Sequence, residues 1–86
     1  MQRQLLSGEA DENARAALAV AGFTGLAINS QRNGDYVTTT VRVSVGDADR
    51  VLAILRDLSY LSGSGTQRSG KAYEVWIRRR VGMAGD

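Results

Sequence analysis

The chain has no cysteine, no histidine and no proline, and it carries one tryptophan, one phenylalanine and, among its eleven cationic residues, one lysine. Without cysteine there is neither a disulfide nor a thiolate. Without histidine as well, nucleophilic triads built on an imidazole base are excluded, and general acid–base work would fall to a carboxylate, Lys71 or a tyrosine. No reason for the missing proline is evident. No apolar run approaches the length of a membrane span, and no basic-then-apolar start marks a signal peptide. These absences lead to the expectation of a cytoplasmic, soluble protein. Net charge is +2, a mild arginine excess that the pI of about 9.5 exaggerates, since nothing titrates in the middle range. A GC-rich coding sequence accounts for arginine over lysine more simply than arginine-selective contacts do.

What the chain does have is alternation. In Tyr36–Val45 (YVTTTVRVSV) Val37, Thr39, Val41, Val43 and Val45 fall on one side, and Tyr36, Thr38, Thr40, Arg42 and Ser44 on the other. Successive side chains of a strand point to opposite faces, so this is a strand with a buried valine face and a wetter back. Asn33-Gly34 stands just before it, the pair favoured in two-residue hairpin turns that need positive φ. With those two as the loop, Arg32 pairs with Asp35, Ser30 with Val37, Ile28 with Thr39 and Leu26 with Val41. Leu26 and Ile28 then share the valine face.

The remaining pattern falls around this hairpin. Ser7–Phe23 reads as a helix, capped by Ser7, acidic at its start through Glu9, Asp11 and Glu12, and lined by Ala10, Ala14, Ala17, Leu18 and Ala21. Gly22 is placed to end it. Ala48–Tyr60 is a second helix with Asp47 as N-cap and Val51, Ile54, Leu55 and Leu58 along one face. Residues 62–70 (SGSGTQRSG) have the composition of a flexible Gly/Ser-rich loop. Lys71–Val81 is the last strand and residues 82–86 a frayed tail. If Met1–Leu6 is a strand, the order is βαββαβ, the ferredoxin-like plan, with two helices on one face of a four-stranded antiparallel sheet. The alternative is αββαβ with a three-stranded sheet. Either way residues 1–86 make a single α+β domain.

That plan leaves one sheet face open. It carries Tyr36, Thr38, Thr40 and Arg42 from the central strand and Glu74, Trp76, Arg78 and Arg80 from the last. Trp76, Arg78, Arg80, Tyr36 and Arg42 are the expected partner-binding residues, since Trp, Tyr and Arg are enriched at binding anchors. The competing expectation is that Trp76 merely covers a neighbouring strand, or packs under the 62–70 loop or the tail, with Arg78 stacked on it or paired with Glu74. Arg68, Lys71, Arg78, Arg79 and Arg80 cluster near the C-terminus as candidate nucleic-acid contacts.

Other motifs are weaker. Gly65 to Lys71 matches seven places of the P-loop pattern, but Ala72 replaces the Mg²⁺-binding hydroxyl and the run precedes a strand rather than a helix. Asp47 and Asp49 read better as a cap and a dipole-favouring acid than as a metal site. No cofactor and no metal are implied. RNA-recognition sheets of this plan stack bases on exposed aromatics, and here threonines occupy most such places. The sequence thus suggests a small non-enzymatic interaction module, of a bacterial or phage accessory type. It would bind a protein partner or a second copy of itself through the open face or a strand edge. Single-stranded RNA binding is the alternative.

Overall fold

The computed structural model describes residues 7–58 and 61–81. Helix α1 is Ser7–Val20, strand β1 Ala27–Asn33, strand β2 Tyr36–Ser44, helix α2 Ala48–Arg56, strand β3 Leu61–Ser69 and strand β4 Ala72–Arg80; a single 3₁₀ turn, Val45–Asp47, leads into α2. The four strands form one antiparallel sheet in the order β1-β2-β4-β3. Both helices pack on the same face, so the architecture is a two-layer α+β sandwich of ferredoxin-like arrangement.

The chain order is αββαββ, which corrects two expectations. Residues 62–70 are not a flexible loop. They form most of β3 and the turn after it, because β4 supplies a paired neighbour whose ladder outweighs the poor strand propensity of serine and glycine. The three-stranded alternative falls with it. The strand expected at Met1–Leu6 lies outside the described residues, and its central place in the plan is filled from the other end of the chain, by β4 between β2 and β3. Moving the first strand of βαββαβ to the C-terminus produces this order with every neighbour kept. The fold is a circular permutation of the expected one.

The first hairpin also turns one residue later than expected. Asn33 pairs with Tyr36 and the loop is Gly34-Asp35, with Gly34 at φ 63°. Ile28 consequently faces Val41 and Ser30 faces Thr39. The shift moves each pairing by two residues and so keeps parity, which is why the assignment of faces survived the wrong register.

Helix α1 ends as its sequence suggests. Gly22 sits at φ 92°, the Gly22 N–H donates to Ala19 O (3.0 Å) and the Phe23 N–H to Leu18 O (2.9 Å), a Schellman motif that folds Phe23 back onto the core. Ala10, Ala14 and Leu18 are buried, whereas Ala21 is exposed. Helix α2 is shorter than expected, ending at Arg56, and buries Ala48, Val51 and Leu55. Asp47 stands in its N-cap place without capping it; its carboxylate accepts from the Ser44 hydroxyl at 3.1 Å. The core is these helix residues against Val41, Val43, Val75 and Ile77, with Ala10 and Val37 in a satellite cluster beside Val81.

The two halves repeat each other. Element boundaries recur 36 residues apart: Val20 and Arg56, Asn33 and Ser69, Tyr36 and Ala72, Ser44 and Arg80. Ser30-Gln31-Arg32-Asn33-Gly34 is echoed by Thr66-Gln67-Arg68-Ser69-Gly70. In both hairpins a two-residue loop opens on a glycine of positive φ, 63° and 64°. In both, the arginine two places before it donates from Nε to that glycine's carbonyl, at 3.3 and 3.2 Å. Thr40 pairs with its own repeat mate, Trp76, so a pseudo-two-fold axis passes between β2 and β4 at the centre of the sheet.

Candidate interface on the open sheet face

Parity places Asn29 and Gln31 of β1, Tyr36, Thr38, Thr40 and Arg42 of β2, Glu74, Trp76, Arg78 and Arg80 of β4, and Gly63, Gly65 and Gln67 of β3 on the face away from the helices. Among the described residues the only aliphatic side chains there are Ala27 and Ala72. The interior face took the valines, and what remains outward is mostly hydroxyl, amide and guanidinium, with the Trp76 indole and the Glu74 carboxylate among them.

Trp76 stands directly across from Gly65. A Cβ built on Gly65 would lie 3.0 Å from Trp76 Cζ2, and one on Gly63 would lie 3.4 Å from Cζ3. The indole therefore lies flat over the bare backbone of β3, filling the space two absent side chains leave. Arg78 reaches over the same strand, its Nη2 3.4 Å from a Cβ at Gly63, and its guanidinium carbon is 5.0 Å from the centroid of the Tyr36 ring. That is a cation–π contact. Trp76, Arg78 and Tyr36 thus form one row across three strands. Trp76 covers a neighbouring strand, and Arg78 stacks on Tyr36 rather than on Trp76 or against Glu74. Glu74 instead faces Arg42 across the ladder. Arg80, opposite Tyr36, is exposed. Between β1 and β2 the face dips into an open hollow of about 320 Å³ lined by Asn29, Gln31, Thr38, Thr40, Arg42 and Glu74.

The five C-terminal cations do not form one cluster. Arg78 and Arg80 are on the open face, Arg68 is on the helix side of β3, and Lys71 is in the hairpin turn, at the far end of β4 from Arg80. Arg79 is 5% exposed, between Val37 and Leu61 on the helix side. Burial lowers its pKa, and the negative charge of Glu9 acts the other way. Its Nη2 has no hydrogen-bond partner among the described residues. Arg79 is therefore a core residue, not a surface contact, and strand parity marked it: it shares the odd side with Val75 and Ile77. The Gly65–Lys71 run is strand and hairpin turn, without the helix start that a phosphate cradle needs. Among the described residues no group of three or more potential metal-ligating side chains is brought together.

Two parts of this surface escaped the sequence reading: the glycine seat under Trp76, and the symmetry that places that residue on the pseudo-dyad. The second had a visible signal in the QR-x-G repeat. Fold and surface together define a class, a two-layer α+β domain whose arginine-bearing sheet face is uncovered by any described element. Beyond that class no family model matches the chain, and no curated protein or solved structure is significantly similar to it.

Proposed function

We propose that the chain is a small, non-enzymatic interaction module, working in the cytoplasm, that presents its open sheet face to an acidic protein partner. The observation that carries this is the make-up of the face. Among the described residues, Arg42, Arg78 and Arg80 stand over a single acid, Glu74, and no valine, leucine or isoleucine is there to drive an apolar association. Such a surface gains affinity from charge-assisted hydrogen bonds and stacking. The absence of histidine and cysteine from the sequence supports a binding role over a catalytic one. No described helix is long and apolar enough to cross a membrane. Titration with a fluorescent Glu/Asp-rich peptide tests the reading: binding is expected, and Arg78→Glu/Arg80→Glu should abolish it. A peptide that binds both proteins equally, or neither, removes the open face as the docking surface.

One observation favours single-stranded RNA instead, the Tyr36–Arg78 stack beside a hollow large enough for a nucleobase. That reading expects oligonucleotide affinity that falls steeply with salt and is lost in Tyr36→Ala and in Arg78→Ala/Arg80→Ala. No binding at low salt ends it.

A further inference from the structure

The two outer edges of the sheet are repeat mates, and they are not alike. The β3 edge is broken by a register shift between Leu61 and Gly63 and lies under the Trp76 indole. Bulges and covering side chains are how edges are kept from pairing. Among the described residues the β1 edge has neither: seven residues pair with β2 without interruption, and no described strand pairs on its other side. Beside it, on the helix side, is an apolar groove of about 240 Å³ lined by Arg15, Ala19, Phe23, Leu26 and Ile28. The corresponding places in the second half are Ser62 and Ser64 where Leu26 and Ile28 stand in the first. An open ladder with an apolar slot alongside supplies both parts of strand-addition recognition, main-chain hydrogen bonds and a side-chain pocket.

We infer that a second copy of this chain pairs there, β1 against β1 antiparallel about a two-fold axis at Ser30, joining two sheets into one of eight strands. This rests on the reading of the chain as an interaction module and names the partner at its edge. The strand is self-complementary in that register. Ser30 meets itself, Asn29 meets Gln31 amide to amide, and Ile28 meets the aliphatic stem of Arg32. Arg32 is the only charge in the strand, and the two-fold keeps it from its own copy. The helix layer agrees. On α1, Arg15 and Ala19 line the apolar groove, Glu12 lies one turn before Arg15, and all three are exposed. Antiparallel apposition brings Glu12 of each copy to Arg15 of the other, and the alanines let the helices approach.

Light scattering and sedimentation over a concentration series are the test, with far-UV circular dichroism and Trp76 fluorescence as fold controls. Wild type is expected to be a dimer. Arg15→Glu should weaken it tenfold or more, and Glu12→Arg/Arg15→Glu should restore it. Because the chain has no cysteine, Ser30→Cys should form a disulfide-linked dimer on oxidation, whereas Thr66→Cys, its repeat mate in β3, should not. A monomer at every concentration, a dimer whose charge swap does not rescue, or cross-linking at position 66 but not 30 overturns the proposal. A monomer that still binds the acidic peptide overturns this inference alone and leaves the module reading standing.

Discussion

At the scale of single residues, three side chains sit against the pattern around them, and each has a measurable consequence. Thr39 is 1% exposed on the valine face, and its hydroxyl is 2.7 Å from that of Ser30 directly across the ladder. The pair satisfies itself. Ser30→Ala should cost about 1–2 kcal/mol by leaving a buried hydroxyl without a partner, while Ser30→Ala/Thr39→Val should recover most of it; denaturant titration of the four proteins reads the coupling. Trp76 is the one tryptophan, so its emission reports its seat on β3 without interference. Gly65→Ala puts a methyl 3.0 Å from the ring. It should shift the emission to longer wavelength and destabilise by about 1–2 kcal/mol; Gly63→Ala, with its nearest atoms at 3.4 Å, should do much less. Arg79 is the third. Its lowered pKa means that the fold disfavours the charged form. For a base so shifted the cost is present at every pH below the folded pKa and is relieved only as pH rises through it, in strongly alkaline solution. Because the attraction of Glu9 offsets part of that cost, Arg79→Met should raise the unfolding free energy by no more than about 1 kcal/mol, and by the same amount at about pH 5 and about pH 9. A gain that vanishes towards either of these would contradict this account.

At the scale of elements, what could be read in advance depended on which force decides the element. β2 was legible because burial decides it: one arrangement keeps Val37, Val41 and Val43 dry, and parity carried the whole open face with it, although Val45, expected on the same buried face, falls in the turn after the strand and is exposed. The ends of α1 were legible because local chemistry decides them, an acidic first turn and a glycine free to take positive φ. β3 was not legible. Its serines, glycines and threonine have little preference of their own, and what makes them a strand is β4, a partner later in the chain. The hairpin register was half legible, since Asn33-Gly34 named the right corner but not which residue opens it. Only the glycine needs positive φ, and that requirement is testable in both halves. Gly34→Ala and Gly70→Ala force a side chain into the left-handed region at φ 63° and 64°, and each should lose about 1–2 kcal/mol in thermal or denaturant unfolding. Equal losses are expected, because the turns are repeat mates with the same arginine-to-carbonyl bond. A loss at Gly34 alone would mean that the second hairpin does not have the conformation described.

At the scale of the whole molecule, the permuted order has a physical basis that can be tested by reversing it. In the βαββαβ plan the first and last strands are neighbours, so nothing in the sheet requires the chain to be cut on one side of that pair rather than the other. Here β3 and β4 are joined by Gly70-Lys71, and the opening lies between β4 and α1. The two sides of that opening stay together: Val81, just past β4, packs with Ala10 and Val37, and its N–H donates to Asp35 O at 2.6 Å. Joining the end of β4 to the start of α1 through a flexible Gly/Ser linker of about a dozen residues, and opening the chain between Gly70 and Lys71, would give a protein that begins with β4 and reads βαββαβ. Every described pair in the core and every strand neighbour is kept. What changes is loop closure: a two-residue hairpin gives way to the longer engineered link, which by the logarithmic dependence on loop length costs about 1–2 kcal/mol. The permutant is expected to fold cooperatively, with the tryptophan emission of the parent and a stability lower by that amount. A permutant that collapses without a cooperative transition would show that the β3–β4 hairpin has to form first, and that Ser/Gly-rich β3 takes up strand structure only because a two-residue turn holds it against β4.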